Sequence, residues 1–224
     1  MPLPIKAILF DHDGTLVDSE PTHFQLWAEV LRPYQVSLSE EQYKLHYAGV
    51  PTVANAIDIA KRFDLRVNSS ILASAKNAAT REFLSRSAFP LMPGAQESIE
   101  FFISCGLQLA IVTGAGRFGV DATLRAHALG TCFATVVSGD DVRNSKPAPD
   151  CYVLAMQRLA LNPTECVAIE DTEHGVAAAR SAGIACLAVP TPMSEHHCFA
   201  SAQGTFGSLW EAAQWAASKF SFHQ

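Results

Sequence analysis

The sequence predicts an α/β fold, in which a doubly wound, Rossmann-like parallel sheet carries an inserted α-helical cap domain. Short runs of β-branched and aliphatic residues alternate along the chain with segments of helical periodicity, which is the pattern of a parallel sheet flanked by helices. The apolar runs are continuous, as expected for strands that are buried on both faces. One long segment lacks such runs and predicts helices only.

Five apolar runs predict the strands, and each ends in a polar or turn-forming residue. They span residues 6–11, 107–114, 134–139, 166–171 and 184–190. Helical patterns follow the breaks between them, at residues 95–105, 119–128, 149–161 and 173–182. The last of these helices stops at Gly183, and glycine is a common residue just beyond a helix C-terminus. Ligands of such sheets bind at the carboxyl ends of the strands, so functional side chains are expected there.

The segment after the first strand predicts a helical insert. Helical patterns cover residues 21–31, 39–46, 53–63 and 69–87, and no strand pattern interrupts them. We therefore expect a core domain formed by residues 1–15 and 89–224 and a helical cap domain formed by residues 16–88. The sequence FPLMPG at 89–94 contains two prolines and a glycine, which suits a hinge where the chain re-enters the core.

The overall composition restricts the partners of the protein. Of 224 residues, 49% are hydrophobic and 17% are charged, which is typical of a globular chain and not of a disordered one. The formal net charge of −6 argues against nucleic acid or an anionic membrane as a partner. No apolar run approaches the ~20 residues of a membrane span, and we find no basic region with a cleavage site at the N-terminus. We expect a cytoplasmic protein, monomeric or homodimeric, that acts on a small metabolite.

The six cysteines all lie in the second half of the chain, and none forms a C-x-x-C pair. Most of them have apolar neighbours. We interpret them as buried, reduced thiols and not as a disulfide or zinc framework. A secreted fold with disulfides in one half is the less favoured alternative.

The first strand ends in the sequence FDHDGT, where Asp11 and Asp13 are separated by one residue. On its own this pair fits an acidic turn about as well as it fits a catalytic pair of carboxylates. Gly14 follows at once and permits a backbone conformation that other residues resist. The strand is expected to be central, so the pair would lie where parallel sheets bind their ligands.

Three further strand ends carry polar groups that suit a phosphate or a metal. Thr113 and Gly114 close the second strand and offer a hydroxyl and backbone N–H groups to a phosphate oxygen. Lys146 follows the third strand, and the two prolines after it would aim its ammonium reproducibly. Glu170 and Asp171 close the fourth strand, where two adjacent acids are costly unless they are solvated, paired or bound to metal.

Together these loops predict a phosphate site assisted by magnesium. Three or four carboxylates, one lysine and one hydroxyl converge on one edge of the sheet. Carboxylate and carbonyl oxygens at this density suit a hard cation, of which Mg²⁺ is the best candidate. The metal and Lys146 would neutralise a phosphate that a protein of net charge −6 otherwise repels. Gly175 follows the last acidic pair closely and would let a helix approach the site.

The four motifs, in this order, resemble those of the haloacid dehalogenase superfamily. The motifs are DHDGT, Thr113, KPAPD and the ED pair with a glycine downstream; they cover essentially the whole core, and the helical insert resembles the family's cap. The resemblance implies that Asp11 is the nucleophile that forms an aspartyl-phosphate and that Asp13 is the general acid and base. It also implies that Thr113 and Lys146 hold the transferring phosphoryl group. The implied metal ligands are Asp11, the Asp13 backbone carbonyl and Asp171, with support from Glu170.

The resemblance favours phosphatase chemistry over dehalogenation, because the dehalogenases of the superfamily lack an aspartate at the position of Asp13. A carboxylate nucleophile divides a slow phosphate-ester hydrolysis into two easier steps. The insert sequences SEPTHFQLW and AGVPT resemble the sugar-phosphate branch, which contains both hexose-phosphate phosphatases and β-phosphoglucomutase. The candidate substrate residues are His23, Gly49 and Thr52 in the insert and Arg117 in the core.

A mutase must hold a second phosphate, and β-phosphoglucomutase has an arginine shortly after the glycine that corresponds to Gly49. Here the next cation is Lys61, so we predict a Mg²⁺-dependent phosphatase of a small phosphomonoester, with a phosphosugar mutase as the alternative. A catalytically silent module that binds a phosphorylated ligand or a protein is the alternative of another class. His12 departs from the apolar residue usual at its position. We expect it to pack away from the Asp11 carboxylate, with at most a weak electrostatic influence, and not to bind metal.

Overall fold

Six parallel strands form one sheet in the computed structural model, which describes residues 4–222. They are β1 (Ala7–Phe10), β2 (Gln108–Val112), β3 (Thr135–Val137), β4 (Cys166–Glu170), β5 (Ala185–Ala188) and β6 (Gly204–Thr205). Their order across the sheet is β3-β2-β1-β4-β5-β6, and every neighbouring pair is parallel. The predicted doubly wound α/β fold is confirmed. The short strand β6 lies beyond the last strand that the sequence predicts.

The chain divides into two compact units, one formed by Met1–Asp18 with Pro90–Gln224 and the other by Ser19–Phe89. The predicted insert, by comparison, spans residues 16–88. The helices of the second unit are α1 (Glu20–Leu31), α2 (Glu40–His46), α3 (Thr52–Arg62) and α4 (Ser69–Arg86). Trp27 and Tyr43 are among its largest buried side chains and form its core.

Helices cover both faces of the sheet in the first unit. These are α5 (Ala95–Ser104), α6 (Arg117–Ala126), α7 (Asp150–Leu159), α8 (Glu173–Ser181) and α9 (Leu209–Lys219). Phe10 of β1 packs into a buried cluster with residues of α5, α6 and α9. Leu9, the preceding residue, lies in a separate cluster with residues of α7 and α8. Because successive strand residues point to opposite faces, a sheet that is covered twice requires continuous apolar runs.

The carboxyl edge of β1 is the switch point of the sheet. Strand β1 pairs with β2 on one side and with β4 on the other, so the connections run in opposite directions on its two sides. Phe10 is in register with Ile111 of β2 and Ile169 of β4. The residues that follow these three therefore lie side by side, at the place where doubly wound sheets bind their ligands.

The structure tests two predictions made from composition, namely that the cysteines are buried thiols and that no segment spans a membrane. All six cysteines are free thiols; Cys151, Cys166 and Cys186 are buried, whereas Cys198 is exposed. The predicted burial is therefore confirmed for these three cysteines, is incomplete for the partly buried Cys105 and Cys132, and is wrong for Cys198, which lies in the irregular segment after β5. Among residues 4–222, none of the helices combines the length and the hydropathy that crossing a membrane requires.

Candidate active site

Lys146 joins the ends of three neighbouring strands. Its ammonium donates to Asp11 Oδ1, directly after β1, at 2.5 Å and to the Val112 carbonyl, at the end of β2, at 2.8 Å. It also forms an ion pair of 2.6 Å with Glu170 Oε1 at the end of β4. Its Nζ lies 5.4 Å from the ring centre of Tyr152, close enough for a cation–π interaction. Only 9% of the Lys146 side chain is exposed, so the lysine is held at the switch point of the sheet.

Burial governs the protonation of this group. Desolvation raises the pKa of the Asp11 carboxyl, and Lys146 opposes the rise by its charge and its hydrogen bond. Burial raises the pKa of Glu170 in the same way, although Lys146 and Tyr152 favour its charged form. Burial alone would lower the pKa of Lys146, but the charges of Asp11 and Glu170 outweigh it and raise that pKa. Lys146 is therefore a fixed positive charge at neutral pH.

Glu170 is completely buried and is held by two donors. Its Oε1 accepts from the Tyr152 hydroxyl at 2.5 Å and pairs with Lys146. Its Oε2 has no hydrogen-bond partner among residues 4–222. This oxygen lies against Gly175 in the first turn of α8, where a Cβ atom would overlap it. The prediction that Gly175 lets a helix approach the acidic pair is confirmed.

Asp11, Glu170 and Asp171 form a buried acidic cluster. One carboxylate oxygen from each lies within 4.8 Å of those of the other two. The Lys146 ammonium pairs with two of these carboxylates, Asp11 and Glu170, so the three acids and the lysine together carry a net charge of −2 when all are ionised. A divalent cation that prefers oxygen ligands would balance this charge, and Mg²⁺ is such a cation. The donor set therefore fits magnesium.

Gly14 lets the DHDGT motif lie against Asp171 of the ED pair. Its φ is +80°, and a Cβ atom on it would overlap the Asp171 carboxylate, so both the conformation and the space require glycine. Asp13 precedes it, and Asp13 Oδ2 lies 3.2 Å from His12 Nδ1. The other ring nitrogen of His12, Nε2, lies 2.9 Å from Thr123 Oγ1. The buried ring of His12 therefore has a hydrogen-bond partner at each nitrogen, a closer contact with Asp13 than the packing or weak electrostatic influence that the sequence led us to expect.

Thr113 and Gly114 form the turn after β2. Thr113 is buried, and its Oγ1 accepts from the backbone N–H of Ala115 at 3.0 Å, which leaves the hydroxyl hydrogen for another acceptor. The Gly114 carbonyl lies against Gly139 at the end of β3, where a Cβ atom would overlap it. The turn is therefore fixed by its neighbour, as preorganised binding of a phosphate requires.

The insert's candidate substrate residues lie in the helical unit. His23 is in α1, and its Nδ1 lies 3.1 Å from Lys76 Nζ. Gly49 has a φ of +69°, and its N–H donates to the buried carboxylate of Glu20 at 3.0 Å. Thr52 is the first residue of α3. Their predicted contacts with substrate stay predictions.

Arg117 begins α6, and carboxylates bind both its side chain and its backbone N–H. Its Nε donates to Asp121, one turn further on, at 2.8 Å, and its backbone N–H donates to Asp140 at 2.8 Å. Because 47% of its side chain is exposed, the ion pair with Asp121 is a weak restraint. Its predicted contact with a phosphate stays a prediction.

Tyr152 and Lys76 are among the buried residues that have polar contacts to candidate residues but were not singled out by sequence reasoning. Tyr152 fits the apolar pattern of α7, and nothing in that pattern shows that its hydroxyl reaches Glu170. Lys76 is 2% exposed in the helical unit, where it donates to Thr80 Oγ1 at 3.0 Å and lies near His23. A lysine within a helix is usually a surface residue, so no sequence signal marks it.

Comparison with known proteins connects this site to a family. Residues 8–189 match the sequence profile described as haloacid dehalogenase-like hydrolase. The chain is 36% identical over 182 residues to fructose-1-phosphate phosphatase YqaB of Escherichia coli strain K12, a match that covers 80% of this chain and 93% of the relative. It is 31% identical over 219 residues to protein CbbY of Rhodobacter capsulatus, covering 94% and 96%. The crystal structure of CbbY from Rhodobacter sphaeroides in complex with phosphate aligns with a TM-score of 0.81 at 29% identity, over 92% of this chain and 96% of that one. The resemblance predicted from the motifs is confirmed.

Proposed function

The chain belongs to the haloacid dehalogenase-like hydrolase family and is a phosphatase of the sugar-phosphate type, and we propose that it acts through a phosphorylated Asp11 with the help of Mg²⁺. One observation supports this most strongly. The carboxylate of Asp11 is paired with the buried ammonium of Lys146 at the switch point of the sheet, beside Glu170 and Asp171. These contacts support the proposal because they put the proposed nucleophile and the proposed metal ligands beside a fixed positive charge.

In the first step Asp11 is the nucleophile. Lys146 holds its Oδ1 at 2.5 Å, which leaves Oδ2 to attack the phosphorus atom. As the new P–O bond forms, the ester P–O bond breaks, and protonated Asp13 gives its proton to the leaving sugar oxygen. The products are the free sugar and an aspartyl-phosphate on Asp11.

In the second step water hydrolyses the aspartyl-phosphate. Asp13, now a carboxylate, takes a proton from the water while the water oxygen attacks phosphorus, and the bond between phosphorus and Asp11 breaks. Inorganic phosphate leaves, Asp11 is again a carboxylate and Asp13 is again an acid. The Lys146 ammonium, the Thr113 hydroxyl and the Gly114 N–H stabilise the phosphoryl oxygens in both steps.

The acidic cluster would hold the magnesium ion. Its ligands would be Asp11, Asp171 and the backbone carbonyl of Asp13, with Glu170 supporting them through its hold on Lys146. When bound, the ion supplies positive charge that offsets the charge of the carboxylates and of the phosphate. The protein's own part is to keep these oxygens in place, which Gly14 and Gly175 permit by their lack of side chains.

A sugar phosphate is the proposed substrate, since the relatives include a fructose-1-phosphate phosphatase. We assign substrate choice to the candidate residues of the helical unit, His23, Gly49 and Thr52. His23 shares a contact with the buried Lys76, and Gly49 is fixed by Glu20. Substitution of these residues is expected to change KM values among sugar phosphates more than the rate on an aryl phosphate.

Phosphate release tests the proposed function. The wild type is assayed with sugar phosphates, phosphoglycolate and nucleoside monophosphates, with Mg²⁺ and with EDTA. It should hydrolyse a sugar phosphate with Mg²⁺, and EDTA should abolish turnover. Asp13→Asn should lose about 10²–10⁴ in rate, and Asp11→Asn should be inactive. A wild type that releases no phosphate from any ester would support a binding module, and undiminished turnover in Asp11→Asn would exclude Asp11 as the nucleophile.

A phosphosugar mutase is the second candidate, because the helical unit does contain a buried cation. A mutase must hold a second phosphate, and Lys76 supplies a positive charge that the sequence around Gly49 lacks. Incubation with β-glucose 1-phosphate and a trace of the 1,6-bisphosphate separates the two functions. Glucose 6-phosphate without stoichiometric phosphate release would indicate the mutase, whereas equal amounts of glucose and phosphate would indicate the phosphatase.

A further inference from the structure

His12 links the proposed acid and base, Asp13, to a helix of the core. His12 is 1% exposed, and Nδ1 of its imidazole ring lies 3.2 Å from Asp13 Oδ2. Its Nε2 lies 2.9 Å from the hydroxyl of Thr123, a buried residue of α6. The backbone is fixed as well, because the His12 carbonyl accepts from the N–H groups of Leu16 and Val17. The ring is therefore held at both nitrogens and cannot turn without losing hydrogen bonds.

These two contacts define where the ring carries its proton. If Asp13 carries its acid proton on Oδ1, its Oδ2 only accepts hydrogen bonds whether or not the carboxyl is ionised, so the Nδ1 that faces Oδ2 carries the hydrogen. In a neutral ring, Nε2 then accepts the hydroxyl hydrogen of Thr123. The Asp13 oxygen thus selects the tautomer that points an N–H group at it, and the Thr123 hydroxyl, which can donate or accept, holds the other side of the ring. A second partner orients metal-bound histidines in the same way.

We propose that His12 is a positioning residue for Asp13, which it holds in one orientation for proton transfer to the leaving sugar oxygen. The proposal rests on the proposed function, in which Asp13 is that acid. A hydrogen bond to one carboxylate oxygen restricts the rotation of the whole carboxyl group. Helix α6 begins at Arg117, directly after the loop that starts with Thr113 and Gly114. Thr123 therefore ties this restraint to the segment that is proposed to bind the phosphate.

Two substitutions separate the contact with Asp13 from the contact with Thr123. In His12→Asn the amide nitrogen takes the place of Nδ1 and keeps a donor for Asp13. In His12→Gln the amide reaches the place of Nε2 and keeps only the contact with Thr123. A histidine that merely fills space or anchors α6 would make the asparagine variant at least as impaired as the glutamine variant. A positioning histidine makes the glutamine variant the worse of the two.

The leaving group provides a readout that a folding defect does not move. A sugar alkoxide needs a proton from Asp13 to leave, whereas the acidic phenol of 2,4-dinitrophenyl phosphate leaves without one. The value of kcat/KM for each ester covers the steps up to departure of the leaving group. We therefore compare the ratio of kcat/KM for the sugar ester to kcat/KM for the dinitrophenyl ester. This ratio does not depend on the fraction of protein that is active. The sugar ester is fructose 1-phosphate, or whichever sugar phosphate the wild type hydrolyses fastest.

For His12→Gln we expect kcat/KM to fall about 10-fold or more on the sugar ester and less than about 3-fold on the dinitrophenyl ester. The loss should lie in kcat, with KM for the sugar ester nearly unchanged. His12→Asn should keep the ratio within about 3-fold of the wild type. Thr123→Val should shift the ratio in the same direction as His12→Gln, and Thr123→Ser should shift it less.

Equal losses on both esters, or an unchanged ratio in His12→Gln, would overturn the role of His12. Asp13→Asn is measured in parallel and should shift the ratio most. If the wild type hydrolyses neither ester, the proposed function is wrong and the role of His12 falls with it. If the wild type is active and Asp13→Asn leaves the ratio unchanged, Asp13 is not the acid and there is nothing for His12 to position.

Discussion

Gly175 lies so close to Glu170 that a Cβ atom at position 175 would overlap the Glu170 carboxylate. The carboxylate cannot easily move aside, because Tyr152 and Lys146 hold its Oε1 at 2.5 and 2.6 Å. The first turn of α8 therefore reaches the acidic cluster only because residue 175 has no side chain. The same helix begins two residues after Asp171, so this contact also fixes the segment that carries the second acid.

Gly175→Ala should push α8 away from Glu170. We expect a loss of about 1–3 kcal/mol in the free energy of unfolding, the usual cost of overpacking, together with lower phosphatase activity. Gly119→Ala is the matched control, since among residues 4–222 a Cβ atom at this position of α6 meets no atom within 4 Å. It should be neutral or stabilise the protein by up to about 1 kcal/mol. Urea unfolding of both variants measures this, and equal stabilities would contradict the close contact.

Lys146→Met should deprive two buried carboxylates, Asp11 and Glu170, of the ammonium that they share. Breaking a buried ion pair in this way costs about 3–5 kcal/mol, and activity should be lost with the positive charge. Addition of Glu170→Gln removes one of the two carboxylate charges. The double variant should therefore recover part of the free energy of unfolding but no activity. A double variant that is no more stable than Lys146→Met would argue against charge compensation.

Magnesium should raise the melting temperature of the wild type, because a ligand that binds only the folded state stabilises it. Asp171→Asn should abolish most of this rise, since Asp171 belongs to the acidic cluster. Without metal this variant should melt no lower than the wild type, because it reduces repulsion among buried carboxylates. Asp150→Asn, at the start of α7, is the control and should keep the rise. A rise of wild-type size in Asp171→Asn would rule out the cluster as the metal site.

Asp141 should stabilise the folded protein at neutral pH, and this contribution should be lost in acid. Its pKa is lowered to about 2 from an ordinary value of 3.8, first by the hydrogen bond from Arg158 and next by that from the Ser138 backbone. A carboxyl whose pKa is lowered by folding stabilises the folded state when the pH is above the ordinary pKa of 3.8. This contribution is lost as the pH falls toward the folded-state pKa of about 2. At this partly exposed site we expect about 1 kcal/mol after screening. The stability gap between the wild type and Asp141→Asn should narrow between about pH 6 and about pH 3; a gap that is independent of pH would contradict this.

Most of the sheet could be predicted because its strands are continuous apolar runs that end in polar residues. The run at 166–171, for example, corresponds to strand β4, Cys166–Glu170. Strand β6 has two residues, too few for any apolar pattern. Helix α9 did carry a signal that the prediction did not use. Ser208 and Glu211 have capping-box spacing, and Ser208 Oγ accepts from the Glu211 backbone N–H.

The motif residues were predictable because each belongs to a short local pattern at a strand end. The side chains that position them were not, because they arrive from distant parts of the chain. Thr123 reaches His12 across 111 residues, and Tyr152 reaches Glu170 from another element of the core. Neither partner differs in sequence from an ordinary residue of an amphipathic helix. Such contacts depend on how α6 and α7 pack on the sheet, which the local pattern does not specify.

A phosphoryl group on Asp11 is the central claim, and one measurement tests it most directly. Asp13→Asn is mixed with 2,4-dinitrophenyl phosphate, whose phenol leaves without a proton, so that only hydrolysis of the intermediate is slowed. The reaction is quenched in acid and reduced with borohydride, which converts an aspartyl-phosphate to homoserine, and the peptides are analysed by mass spectrometry. We predict one dinitrophenol released per enzyme in the initial burst and homoserine at position 11. Release of the phenol with an unmodified Asp11, or with the phosphoryl group on another residue, would contradict the account.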